Sequence, residues 1–172
     1  MQVAFATFDD GGRSGCRWDA VRGTRTHVPG TPMAVGQDIP HDLAQYVIEA
    51  ATGYRNGFWD LVARGATFTS TGRRPTKPGR AVIARHRKDL ARSERLAGLH
   101  LALWRARRSG SVTTALDAAF ALWQTLRTGE RLVFDWPSPE GRIEGRAAPL
   151  AAAGATPGPA SRPPHRRRRG AA

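Results

Sequence analysis

Residues 38–53 read DIPHDLAQYVIEAATG and carry the signals of a helix start, an apolar face and a helix end. Asp38 is a good N-cap, Pro40 is tolerated in a first turn, and Gly53 is a common residue just after a helix. The apolar side chains recur at helical spacing; they are Leu43, Tyr46, Val47 and Ala50. We expect an amphipathic helix from about residue 38 to 52, with its apolar face packed against the rest of the core.

The residues before this helix have the pattern of a small β-sheet. An apolar run from Val3 to Phe8 predicts a strand, and the sequence DDGG at 9–12 predicts a turn. Residues 16–22 alternate in character and predict the return strand. Glycines and prolines dominate residues 23–37, which are expected to form turns and a third short strand near 24–28.

Three further helices and one strand are expected after residue 53. A short helix is predicted over about 58–64, capped by Asn56, and a long helix over about 80–107. A last helix lies between Ser111 and Gly129, and a strand follows at 132–134. The predicted fold class is α+β: a small N-terminal antiparallel sheet, joined by a C-terminal strand, with three to four helices packed on it.

The chain changes character after Pro137. All thirteen aromatic residues lie at or before Trp136, and the remainder is rich in proline, alanine, glycine and arginine. Such a segment buries too little apolar surface to offset its conformational entropy, which costs about 1–2 kcal/mol per residue. We therefore expect one folded domain over residues 2–137 and a disordered tail over residues 138–172.

Positive charge is concentrated in two segments. The 172 residues include 27 Lys and Arg against 14 Asp and Glu, a formal net charge of +13. Residues 73–108 hold twelve basic residues against two acidic ones, and residues 138–172 hold seven arginines against two glutamates. The candidate anion-binding residues are Arg73, Arg74, Arg85, Lys88, Arg92, Arg95, Arg166, Arg167, Arg168 and Arg169. A solvated helix face, with Arg85 paired to Asp89, and a solubilising tail are the alternative explanations.

Several classes of protein are excluded by motifs that the sequence lacks. No run of 18 or more apolar residues is present, so no membrane-spanning helix is expected. Cys16 is the single cysteine, which excludes a disulfide framework. The N-terminal residues lack the pattern of a secretion signal, so a cytoplasmic protein is expected. No Gly-x-Ser-x-Gly elbow occurs, and the glycine-bounded stretch at 72–79 lacks the ending of a nucleotide-binding loop.

The first helix also carries the best candidate for chemistry. His41, Gln45 and Glu49 recur every four residues and so project from one helical face, as ligands of a divalent metal can. Asp42 is adjacent and could orient the imidazole or act as a base. The alternative is an ordinary solvated stripe, formed by Asp42, Gln45, Glu49 and Thr52 opposite the apolar face.

The same stretch resembles a family of small uncharacterised bacterial proteins. The shared pattern is P-H-D-L-x-H-[FY]-[VI]-[VI]-E, which residues 40–49 match except at Gln45, where the family has a second histidine. The Gly57-Phe58-Trp59 turn and the closing Trp136-Pro137 also fit the family. The resemblance covers most of residues 3–137 and implies the same domain boundary. A metal site built on the second histidine would be lost in this chain.

Two functions follow as hypotheses. The first is a non-enzymatic cytoplasmic module, without a cofactor, that binds nucleic acid or an acidic protein through the basic helix and tail. The second is a small metal-dependent enzyme that uses His41 and Glu49, with Asp42 as a positioning group or base.

Overall fold

The computed structural model describes residues 1–10, 13–23, 26–35, 37–69, 74–137 and 145–149. Within these ranges the chain forms a six-stranded antiparallel sheet and five helices, which confirms the predicted α+β class. The strands are β1 (Gln2–Asp10), β2 (Arg13–Arg22), β3 (Thr26–Pro29), β4 (Met33–Ala34), β5 (Glu130–Asp135) and β6 (Arg146–Pro149). The helices are α1 (His41–Thr52), α2 (Phe58–Ala63), α3 (Lys77–Arg85), α4 (Arg87–Arg105) and α5 (Ser111–Gln124).

Strand β1 lies inside the sheet, between β2 and β5. The strand order is β3-β2-β1-β5-β6, and the short β4 also pairs with β2. Phe5 of β1 lies opposite Trp18 of β2 on one side and opposite Leu132 of β5 on the other. Met1 and Trp136 extend this pairing, because each donates its main-chain nitrogen to the carbonyl of the other at 2.7 Å. The expected C-terminal strand therefore joins the N-terminal sheet directly beside β1.

The core lies between the helices and one face of this sheet. The ring of Phe5 meets those of Tyr46, Trp59 and Phe134 edge-on, with centroids 5.6 to 6.0 Å apart. Such aromatic pairs contribute about 0.5–1.5 kcal/mol beyond the burial of their area. Helix α1 brings Tyr46 into this cluster and packs against both α4 and α5. The apolar face that the sequence predicted for α1 is buried as expected.

Helix α1 begins three residues later than the predicted start. Pro40 occupies the N-cap position, where a residue without a main-chain N–H leaves no donor unsatisfied. Asp38 has a different role, since its Oδ2 accepts from Arg105 of α4 at 2.8 Å (Nε) and 2.6 Å (Nη2). This contact ties the segment before α1 to the C-terminal end of α4.

The long helix predicted over residues 80–107 is two helices. The helical segment begins earlier, at Lys77, because the Thr76 side chain accepts from Gly79 N at 3.1 Å and caps α3. His86 then leaves the helical conformation, with φ −111° and ψ 20°, and separates α3 from α4. The first turn of α4 contacts the segment that follows α1, because Tyr54 Oη donates to Asp89 O at 3.0 Å. No helix in the described part of the chain is long and apolar enough to cross a bilayer.

The boundary predicted at residue 137 is corrected by β6. This strand lies in the segment expected to be disordered, yet it pairs with β5, with Leu132 opposite Ala147 and Val133 opposite Arg146. The low apolar content of this segment did not reveal β6, because an edge strand takes its hydrogen bonds from a neighbouring strand and needs no core of its own. Residues 138–144 and 150–172 lie outside the described residues, so the expectation for the rest of the tail stays a prediction.

Candidate functional site

Glu49 is a buried structural residue and is not part of a solvated stripe. Its side chain is 1% exposed and lies between α1, α2 and α4. Oε1 accepts from Phe58 N at 2.8 Å and from Ser93 Oγ at 2.6 Å, and Oε2 accepts from Trp59 N at 3.0 Å. Burial raises the pKa of this carboxyl, and the hydrogen bonds from Ser93 and the main chain oppose the shift. The carboxylate therefore accepts hydrogen bonds from the first main-chain N–H groups of α2, which have no acceptor within the helix itself.

Gly57 makes this contact possible. It occupies the N-cap position of α2, in extended conformation, and offers no side chain to cap the helix. A Cβ atom at this position would overlap the carboxyl group of Glu49. The predicted cap, Asn56, has a positive φ of 62° instead and donates to Asp89 at 3.2 Å. Glu49 and the Gly57-Phe58-Trp59 turn, two separate parts of the motif noted above, are therefore one structural unit.

Gln45 connects this unit to the surface. Its side chain is 3% exposed, and its Nε2 donates to Glu49 Oε1 at 3.1 Å and to Glu94 Oε1 at 2.9 Å. A primary amide carries two N–H donors on one nitrogen, so it can serve two carboxylates at once. Gln45 therefore acts here as a hydrogen-bond donor between acidic groups and not as a metal ligand.

Asp42 and His41 form a second, separate arrangement at the start of α1. Asp42 Oδ2 accepts from the indole nitrogen of Trp18 at 2.8 Å and so joins α1 to strand β2. Asp42 Oδ1 lies 3.3 Å from Nδ1 of His41, whose side chain is 53% exposed. The hydrogen bond to Asp42 raises the pKa of His41, and burial opposes part of that shift. Asp42 thus anchors a core tryptophan and orients a surface imidazole.

These placements remove the geometric support for the metal hypothesis. His41 is largely exposed, whereas Glu49 is enclosed and its carboxylate oxygens are occupied by donors. In the described ranges, no group of three or more His, Cys, Asp and Glu residues is placed to hold a metal ion. Sequence reasoning grouped His41 with Glu49 from spacing alone and missed Ser93. A signal for Ser93 existed, because it is in line with the buried stripe of α4 at Ala97, Leu101 and Trp104.

The predicted basic surface is exposed. We define the basic face as Arg85, Lys88, Arg92 and Arg95, which are all exposed, as is Arg74. None of these four makes an ion pair or side-chain hydrogen bond with a described residue. The predicted partner of Arg85 is engaged elsewhere, because Asp89 contacts His86 and Asn56. Arg73 and Arg166–Arg169 lie outside the described residues.

A groove lies beside the basic face where α3 and α4 separate. It has a volume of about 240 Å³ and is lined by Arg64, Ala81, Val82, Arg85 and His86. Arg64 donates to Asn56 and lies 3.5 Å from Asp60, so its charge is partly matched. Arg85 has no such partner among the described residues. The groove therefore combines the apolar side chains of Ala81 and Val82 with a guanidinium that has no partner among the described residues.

Known proteins were compared with this chain in three ways. No protein-family model, no curated protein and no solved structure matches it significantly.

Proposed function

We propose that the chain is a cytoplasmic, non-enzymatic module that binds an anionic partner, nucleic acid or an acidic protein, through the basic face. The observation that carries the proposal is that Arg85, Lys88, Arg92 and Arg95 have no ion-pair or hydrogen-bond partner in the part of the chain that the structure describes. A cation that has no carboxylate of its own keeps its full electrostatic potential for an incoming anion. Lys88, Arg92 and Arg95 follow one another at intervals of four and three residues, so one helical surface presents them together.

The groove at His86 provides a concave site next to these positive charges. A phosphate or carboxylate group that entered it would meet Arg85 in a groove also lined by Ala81 and Val82. Guanidinium groups bind such anions through paired N–H donors, and this geometry favours arginine over lysine. The groove therefore supports binding in which the anion takes up a defined position, in addition to the general electrostatic attraction of the basic face.

Binding through the basic face has a characteristic dependence on salt. Each phosphate contact releases counterions, and the logarithm of affinity falls with the logarithm of salt concentration by about 0.9 per contact on duplex DNA. Four contacts predict a slope of about −3.6, which is roughly a hundredfold loss of affinity between 50 and 200 mM salt. An acidic protein has no such condensed counterions, so its salt dependence is shallower.

The test is reversal of the basic face in the full chain. The quadruple variant R85E/K88E/R92E/R95E is compared with R55E/R107E/R108E/R127E, which reverses four other exposed arginines. We expect the first variant to abolish binding to a duplex oligonucleotide or to polyglutamate, measured by fluorescence anisotropy, and the second to retain most of it. Equal losses in both variants would mean that net charge alone is responsible. Undiminished binding in the first variant would refute the proposal.

A further inference from the structure

The face of the sheet turned away from the helices has a composition of its own. Core side chains of β1, such as Phe5, point towards the helices, so Ala4 and Ala6 point the other way. Ala4, Ala6 and Val133 are at most 8% exposed and lie outside the main core cluster. Their burial shows that other side chains lie over this face, which we call the open face because the main core cluster with the helices lies on the other side of the sheet.

Two arginines flank Ala6 on this open face. The register pairs Ala6 with Arg17 of β2 on one side and with Arg131 of β5 on the other. Directly paired residues share a face of the sheet, and neighbouring strands lie about 4.8 Å apart. The two arginines are thus about 10 Å apart at their backbones, with the small methyl group of Ala6 between them. Long, flexible guanidinium side chains reach across that distance.

Each of these arginines has a nitrogen atom without a partner among the described residues. Both side chains are partly buried, and the Nε atom of each is shielded from solvent with no hydrogen-bond partner there. Neither forms an ion pair with a described residue. Buried N–H groups of a cation are normally paired, so a pair of such orphans on one surface points to a missing acceptor.

The nearby carboxylates are directed to other groups. Asp19 lies on the same face of β2, but its Oδ1 is 3.1 Å from Nε2 of His27. Asp135 of β5 lies 3.9 Å from Nη1 of Arg146. Within the described residues, neither of these carboxylates forms an ion pair with Arg17 or Arg131.

We propose that Arg17 and Arg131 form a second anion site, separate from the basic face, in which the two guanidinium groups bind one phosphate group between them. A phosphate oxyanion supplies several acceptors with a geometry that fits guanidinium forks from two sides. The phosphate can belong to a small phosphorylated ligand or to a nucleic-acid backbone, and the two sources are separated by experiment.

The test uses the full chain, with pyrophosphate and a single-stranded oligonucleotide as separate probes in calorimetric titrations. We expect R17Q/R131Q to lower the affinity for at least one probe by about tenfold or more, since two charge-assisted contacts are lost. The control variant R107Q/R127Q removes two exposed charges that belong to neither the basic face nor this site, and it should leave pyrophosphate binding unchanged. Binding of pyrophosphate would assign a small ligand, and binding of the oligonucleotide alone would assign a nucleic-acid backbone.

A second variant guards against a loss of folding. R17K/R131K keeps both charges and apolar stems but loses the forked geometry, and it should weaken binding by several-fold with an unchanged far-ultraviolet spectrum. The inference is overturned if the wild-type chain binds neither probe at millimolar concentration, or if R17Q/R131Q and R107Q/R127Q lose affinity equally.

Discussion

Glu49 illustrates how a charged residue on a helix can belong to the core. Its spacing from His41 and Gln45 favoured a solvated stripe or a ligand set, and both interpretations were wrong about its environment. The decisive partners come from distant parts of the chain, namely the start of α2 and Ser93. No local sequence pattern indicates such contacts, because they depend on how α2 and α4 pack against α1. The absence of a side-chain cap before α2 was the available hint.

Replacement of Glu49 should cost more stability than replacement of the exposed carboxylate beside it. Glu49→Ala leaves two main-chain N–H groups and the donors of Gln45 and Ser93 without their acceptor. An unsatisfied buried donor costs about 1–3 kcal/mol, so we expect the free energy of unfolding to fall by about 3 kcal/mol. Urea unfolding followed by tryptophan fluorescence measures it. Glu94→Ala removes the other acceptor of Gln45 at an exposed site and should cost less than about 1 kcal/mol; equal losses would contradict the core role of Glu49.

The imidazole of His41 should titrate above its ordinary range. The hydrogen bond to Asp42 favours the charged form and raises the pKa of His41 above the value of about 6.5 for an isolated histidine. The stability that this pair contributes is therefore fully present below pH 6.5 or so and is lost as the pH rises through the folded pKa. Proton NMR titration of the His41 ring measures the midpoint directly.

Asp42→Asn provides the matched control for this titration. Asparagine keeps an oxygen that accepts from the indole of Trp18, so the link between α1 and β2 survives. The negative charge beside His41 is removed, and the midpoint should move down. Unfolding temperatures of the wild type and the variant should differ more at pH 5.5 than at pH 9 or so. A midpoint that does not change would show that Asp42 has no electrostatic effect on His41.

Elements with strong periodicity were predictable, and elements that depend on a neighbour were not. The helices around Tyr46 and Trp123 and the strands around Phe5 and Trp18 carry their own apolar patterns, and they form where expected. The break at His86 and the short strand β6 have no comparable pattern. Both are accompanied by contacts from distant parts of the chain: Tyr54 donates to the first turn of α4, and β6 pairs with β5.

Strand β6 should contribute measurably to stability. A chain ending after Gly145 is compared with one ending after Leu150, which lacks the same distal tail but keeps β6. Loss of a short ladder of net hydrogen bonds costs about 2 kcal/mol, and the unfolding temperature should fall by about 4–8 °C. The shorter chain should also self-associate more, because the edge of β5 becomes open to a second copy. Equal unfolding temperatures and equal monomer fractions would show that β6 is dispensable.

The basic face and the pair Arg17 and Arg131 are two basic surfaces, and different parts of the sequence form them. The basic face belongs to α3 and α4, and its residues are close in sequence, so composition and periodicity revealed it. Arg17 and Arg131 are 114 residues apart, and only the register of β1 with both neighbours brings them together. The first surface was therefore predictable from the sequence, and the second required the fold.

The position of β1 between β2 and β5 governs the order in which the chain can be assembled during synthesis. A ribosome releases β1 and β2 early, and they can pair at once, but the other edge of β1 waits until residues 130–135 have emerged. Throughout that interval the growing polypeptide displays an unpaired apolar strand, which is the kind of segment that chaperones engage. Translation that stalls between α4 and β5 would leave this strand exposed, so such fragments are the species most prone to aggregate.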